Sequence, residues 1–142
     1  MTEYSLRAKL ITEFIGTFFL TLTICLAVVF ESAVAEFAPF AIASTLMVMI
    51  YAGGHISGAH YNPAVTISVY LRGACDKTEI APYIASQLAA AAMAAVIASN
   101  VFMPGELGGG ELVMETVPAL AAELMFTFAL VYVILNVATS ES

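Results

Sequence analysis

Apolar residues run along this chain in four long blocks. Leu10 to Phe30 is 21 residues long and mostly apolar, enough to cross a hydrocarbon core as a helix; such a core is about 30 Å thick and a helix rises about 1.5 Å per residue. Phe37 to Gly54 is the second block, with Pro39 in its first turn, where a missing N–H is tolerated. The third runs from Pro82 to Phe102 and is built largely of alanine, with Ser86 and Gln87 among them. Small residues of this kind let helices approach closely in lipid. Pro118 to Val137 is the fourth.

Between the second and third blocks lies a stretch of different character, Gly53-Gly54-His55-Ile56-Ser57-Gly58-Ala59-His60-Tyr61-Asn62-Pro63-Ala64-Val65-Thr66. It reads as a glycine-rich polar loop that runs into a short apolar segment. Asn62 can cap a helix and Pro63 suits its first position. The segment from Pro63 to Leu71 has nine residues, which as a helix reach only about 13 Å and cannot cross. A polar loop at membrane depth is tolerated only where it lines something wet. The pattern therefore predicts an all-α transmembrane bundle with four spanning helices, at about 10–30, 37–54, 82–102 and 118–137, and one re-entrant half-helix at 63–71.

Composition agrees with the membrane class. Of 142 residues, 61% are apolar and 11% charged, and the mean hydropathy is +0.96; soluble domains run nearer a quarter charged. The net charge of -7 leaves no basic patch for nucleic acid. The four basic residues are informative by position. Arg7 and Lys9 precede the first span, and Arg72 and Lys77 lie between the half-helix and the third. With four crossings all share one face, which predicts a cytoplasmic N-terminus; the expected setting is a multi-pass integral protein of the plasma (cell inner) membrane. Ala33-Val34-Ala35 resembles a signal-peptide cleavage site, but the apolar region before it is too long for one and contains Glu13. A retained first span is expected.

Candidate chemistry beyond the loop is thin. Cys25 and Cys75 have no metal spacing, and no carboxylate or cysteine lies suitably near His55 and His60. Gly108-Gly109-Gly110 is followed by no Lys-Ser/Thr pair, so it cradles no phosphate. No nucleophile–base arrangement is present, so neither an enzyme nor a metal or other cofactor is expected.

The chain also repeats. Glu13-Phe14-Ile15-Gly16-Thr17-Phe18-Phe19-Leu20 and Glu123-Leu124-Met125-Phe126-Thr127-Phe128-Ala129-Leu130 agree at four of eight places with an offset of 110. An intramembrane glutamate in register is costly and points to function. One repeat holds three spans, an odd number, so its copy starts from the opposite face, the inverted plan of many transporters. Residues 1–111 then form a first repeat and 112–142 the start of a second. The partner of Asn62 would fall near position 172, so the expectation is a truncated form lacking a second re-entrant loop and two further spans.

Ser57-Gly58-Ala59-His60-Tyr61-Asn62-Pro63-Ala64-Val65-Thr66 resembles the first Asn-Pro-Ala box of the aquaporin, or major intrinsic protein, family. Thr12-Glu13 to Leu20 is similar to the family's first-span motif, and Ala122-Glu123 to Leu130 to its fourth-span counterpart. Ala85-Ser86-Gln87 with Ala90-Ala91 is similar to its third-span glutamine motif, with Ala90 where glycine is usual. The resemblance implies passive passage of water or small neutral solutes such as glycerol, through a pore within each subunit of a homotetramer in the lipid bilayer. It implies that Asn62, Pro63 and Ala64 form the pore box and that the carbonyls of Gly58, Ala59 and His60 line the pore. It further implies that Glu13, Glu123 and Gln87 brace the loops, and that Ile42 takes a selectivity-filter position that is often aromatic. The expected form is a fragment unlikely to conduct alone. The alternatives are a non-conducting partner of full-length channels and a proton-coupled transporter of small solutes.

Overall fold

The computed structural model describes residues 4–29, 35–105 and 115–139. The loop at 31–34, the triglycine Gly108–Gly110 and the last three residues lie outside the described residues. Five α-helices follow in order: α1 (Leu6–Ile24), α2 (Ala38–Ser57), α3 (Pro63–Leu71), α4 (Lys77–Ile97) and α5 (Thr116–Val137). α1 runs on into a π-helical turn, Cys25–Val29, and α4 into another, Ala98–Phe102. Among the described residues, four of these helices are long and apolar enough to cross a membrane, and α3 is the short exception.

Three boundaries differ from the sequence expectation. α1 begins at Leu6 because Ser5 caps it, its side chain accepting from the Ala8 N–H at 3.3 Å. α4 begins at Lys77, with Asp76 at the capping position, and takes Pro82 inside its second turn. α2 continues through Gly53, Gly54, His55, Ile56 and Ser57 before Gly58 ends it in a left-handed conformation (φ 86°). The loop is thus only Gly58 to Asn62. Two adjacent glycines suggest a turn in water, but neighbouring helices keep glycine helical in a membrane bundle.

The packing is inverted relative to a water-soluble domain. Glu13, Thr17, Ser57, His60, Thr66 and Gln87 are buried, while Phe40, Tyr51, Leu124, Phe126 and Phe128 are exposed. That distribution suits a lipid solvent, which exacts no penalty for apolar surface and a large one for unpaired polar groups. α1 sits at the centre, packed on α4 along one side and α2 along another. Ala90, Ala94 and Ala98, one turn apart, are fully buried, which sets one face of the α4 segment against its neighbours without side-chain bulk.

Polar contacts gather several chain ends at one edge of the bundle. Lys9 near the start of α1 donates to Glu79 in the first turn of α4 at 2.6 Å. Tyr4 meets His55 edge-on near the end of α2. Arg72, after α3, donates to Thr139, after α5, at 3.4 Å. α5 packs on α3 and is otherwise exposed along its length.

Gly16 of α1 and Gly53 of α2 form a slot for the ring of Tyr61: a Cβ at Gly16 would overlap the ring, and one at Gly53 would overlap its hydroxyl. The hydroxyl donates to the Met49 carbonyl at 2.8 Å. Gly16→Ala should therefore destabilise the protein by about 1–3 kcal/mol through overpacking. Tyr61→Leu should cost less in the Gly16→Ala background than alone, measured by unfolding in mixed micelles; strict additivity would show that the ring and Gly16 do not share this space.

Candidate functional site

The site begins with one side chain. Glu13 is fully buried in the middle of α1, and a carboxylate in such a place must be surrounded by donors. Ser57 Oγ donates to Oε1 at 2.7 Å, the His60 N–H to Oε1 at 2.9 Å and the Tyr61 N–H to Oε2 at 2.7 Å. Gln87 Nε2 donates to Oε2 at 2.8 Å. Two of these donors are main-chain groups of the loop, one ends α2 and one comes from α4. Ala59 and Tyr61 reach the geometry by adopting left-handed conformations (φ 53° and 50°), which cost a non-glycine residue about 1–2 kcal/mol each. Charge-assisted hydrogen bonds of about 1.5–3 kcal/mol each offset that strain.

The turn delivers the chain into α3. Asn62 is extended (φ -155°, ψ 133°) and its Oδ1 accepts from the Ala64 N–H at 2.7 Å. With Oδ1 so engaged, the amide nitrogen of Asn62 keeps its donors for other partners. Pro63 occupies the first helical position and the half-buried Ala64 the second. Thr66 Oγ1 donates back to the Asn62 carbonyl at 3.1 Å, accepts from Gln87 at 3.0 Å and lies 3.2 Å from His60 Nδ1. Tyr83, one turn before Gln87, donates to the Ser57 carbonyl at 2.9 Å and packs its ring against His60. The Oε1 of Gln87 is buried with no partner among the described residues.

A cavity of about 440 Å³ opens over the loop. It is lined by Gly58 and His60 of the loop, by Lys9, His55, Cys75 and Glu79, and by Ile134, Ala138 and Thr139 at the end of α5. Burial pushes the Cys75 thiol up from its ordinary value, with Glu79 and Asp76 adding to the effect and Lys9 opposing it. Among the described residues no group of histidine, cysteine and carboxylate side chains is arranged to hold a metal ion.

The structure thus brings Glu13, Gly58, Ala59, His60, Asn62, Pro63, Ala64 and Gln87 together. Ile42 lies apart, part-buried on α2. Glu123 lies on the exposed face of α5, away from the Glu13 cluster. Sequence reasoning passed over Ser57, Tyr61, Thr66 and Tyr83. The first three flank the Asn-Pro-Ala box, and Tyr83 stands four residues before Gln87 on one helix face, a spacing that marks a shared environment.

Comparison with known proteins places these residues in context. The model of the major intrinsic protein family matches residues 1–142. Aquaporin Z of Photorhabdus laumondii is 41% identical over 106 residues, covering 70% of this chain and 46% of its own length. Aquaporin NIP1-3 of Oryza sativa is 37% identical over 148 aligned residues, covering 99% of this chain and 52% of its own length. Aquaporin NIP1-1 of Arabidopsis thaliana is 37% identical over 147, covering 94% and 50%. The chain spans about half the length of the curated relatives it matches.

Replacing Glu13 by Gln sets an NH₂ against donors and removes the charge they were arranged for. Glu13→Gln should cost about 3–5 kcal/mol of stability. Glu123→Gln, which breaks no bond of the Glu13 cluster and removes a charge from a lipid-exposed span, should cost no stability. Unfolding of both variants in mixed micelles checks the contrast, and equal losses would contradict it.

Proposed function

Because the chain belongs to the major intrinsic protein family, we propose that it builds one wall of a passive channel for water or small neutral solutes such as glycerol. The observation that carries this reading is the buried Glu13 carboxylate, which pins a re-entrant turn and sets Asn62 at the start of a half-helix too short to cross. The half-helix N-terminus carries about half a positive charge. At membrane depth it repels cations while orienting water dipoles. Asn62 offers its amide hydrogens beside it.

The carbonyls of Gly58, Ala59 and His60 take no hydrogen bond from the described backbone, which suits a row of acceptors for a passing solute. Ile42, in this reading, sets the filter width with an aliphatic side chain. Glu13 accepts from four donors at once, which supports a fixed brace over a proton carrier. Residues 1–111 form the first repeat and 112–142 the start of a second, in which Glu123 takes the place of Glu13. Glu123 is exposed on a spanning helix, where lipid would leave its carboxylate unpaired, so in this reading the wall it belongs to is completed by further protein. The grouping of Arg7, Lys9, Arg72 and Lys77 near one edge supports a cytoplasmic N-terminus, and the membrane in this reading is the plasma (cell inner) membrane. The assembly is a homotetramer by family resemblance.

Two measurements test this reading. In a chain with Cys25 and Cys75 replaced by serine, a hydrophilic methanethiosulfonate should modify Asn62→Cys in vesicles and spare Phe128→Cys on the lipid face. Equal protection of both would remove the wet path. Proteoliposomes of the unsubstituted 142-residue chain should shrink under osmotic stress at the lipid background rate, because one wall is open; fast shrinkage would show that the chain closes a pore unaided.

A further inference from the structure

The hydrogens around Glu13 can be followed outward one at a time. Four groups donate to this carboxylate, so it acts only as an acceptor, the role of the ionised form. Gln87 must turn Nε2 toward Glu13 Oε2, since its carbonyl there would set oxygen against oxygen. The second hydrogen on that nitrogen goes to Thr66 Oγ1 at 3.0 Å. Thr66 is fully buried and has one hydroxyl hydrogen, which the Asn62 carbonyl takes at 3.1 Å. With that hydrogen spent, Oγ1 meets His60 Nδ1, 3.2 Å away, as an acceptor. The opposite tautomer would draw the Thr66 hydrogen away from Asn62 and leave one bond fewer in a dry setting, where lost bonds cost most.

We infer that His60 is held as the neutral Nδ1–H tautomer, and that its bare Nε2 is a hydrogen-bond acceptor in the cavity lining for a neutral solute presenting an O–H or N–H donor. His60 is 7% exposed, and the Tyr83 ring, 5.2 Å away between centroids, fixes its plane. Nε2 has no hydrogen-bond partner among the described residues and looks out past Gly58, where a Cβ would come within 3.2 Å of it. Gly58 and His60 both line the cavity. Donor-bearing solutes such as water, alcohols and amides are thereby favoured at this point, and a solute with acceptors alone finds no partner at Nε2. The identity of the solute rests on the channel reading above; the tautomer does not.

Nitrogen-15 spectra of histidine-labelled protein in micelles test the inference without requiring conduction. The chain has only His55 and His60, and His55→Gln assigns the remaining signals. The expected pattern for His60 is a protonated Nδ1 and a bare Nε2 displaced from the free position by a donor from solvent. Thr66→Val, which removes the acceptor for Nδ1–H, should move the proton to Nε2 or produce an exchanging mixture, and Thr66→Ser should restore the original pattern. A proton on Nε2 in the unsubstituted chain, an unchanged spectrum for a folded Thr66→Val, or an Nε2 free of any donor would each overturn the assignment. Should Thr66→Val not fold, the unsubstituted and Thr66→Ser spectra decide by the same criteria. If thiol labelling at Asn62 fails while the tautomer holds, the channel reading alone is lost.

Discussion

A carboxylate that cannot reach water is the constraint from which the rest of this molecule follows. Glu13 lies fully buried in the first helix, and an unpaired charge there would cost several kcal/mol. The chain meets it with donors from α2, the loop and α4. Three consequences come from that single requirement. α2 must stop at Ser57, the loop must turn both main-chain N–H groups inward, and α4 must lie close enough for Gln87 to reach across. The half-helix is positioned by these bonds before its own packing is counted.

Steric terms then fix what electrostatics only favours. The ring of Tyr61 fills a slot that exists because residues 16 and 53 are glycines. The alanines of α4 allow a close approach that larger side chains would prevent. The loop is consequently held from the polar side by Glu13 and from the apolar side by the Tyr61 slot. Two non-glycine residues in left-handed conformations persist between these restraints, as strained backbone does where its surroundings over-determine it.

Much of this was legible in the sequence. The four apolar blocks and the nine-residue segment after Asn62 depend on local pattern, and all correspond to observed elements. The Asn-Pro-Ala box announced a helix start with its own cap. What the pattern could not reveal depends on partners distant in the chain. Gly53 and Gly54 read as a turn because their helical role is set by Tyr61 and by neighbouring helices. Thr66 beside the box and Tyr83 one turn before Gln87 carried only a positional hint, since their importance lies in bonds to Gln87 and Ser57. The π-helical ends of α1 and α4 likewise leave no mark in composition.

The spacing of the Glu13 donors along the chain also matters while the protein is being made. Ser57 follows Glu13 by 44 residues and Gln87 by 74. At a synthesis rate of about 5–20 residues per second, the last of these partners emerges some 4–15 s after the glutamate. For that interval the first helix carries an acidic group whose set of donors is incomplete, and an acidic residue at a helix centre makes insertion less favourable by about 2.5–3.5 kcal/mol. The side chain that organises the finished bundle is thus a handicap during insertion, and α1 has to rely on its apolar residues until α4 completes the set of donors.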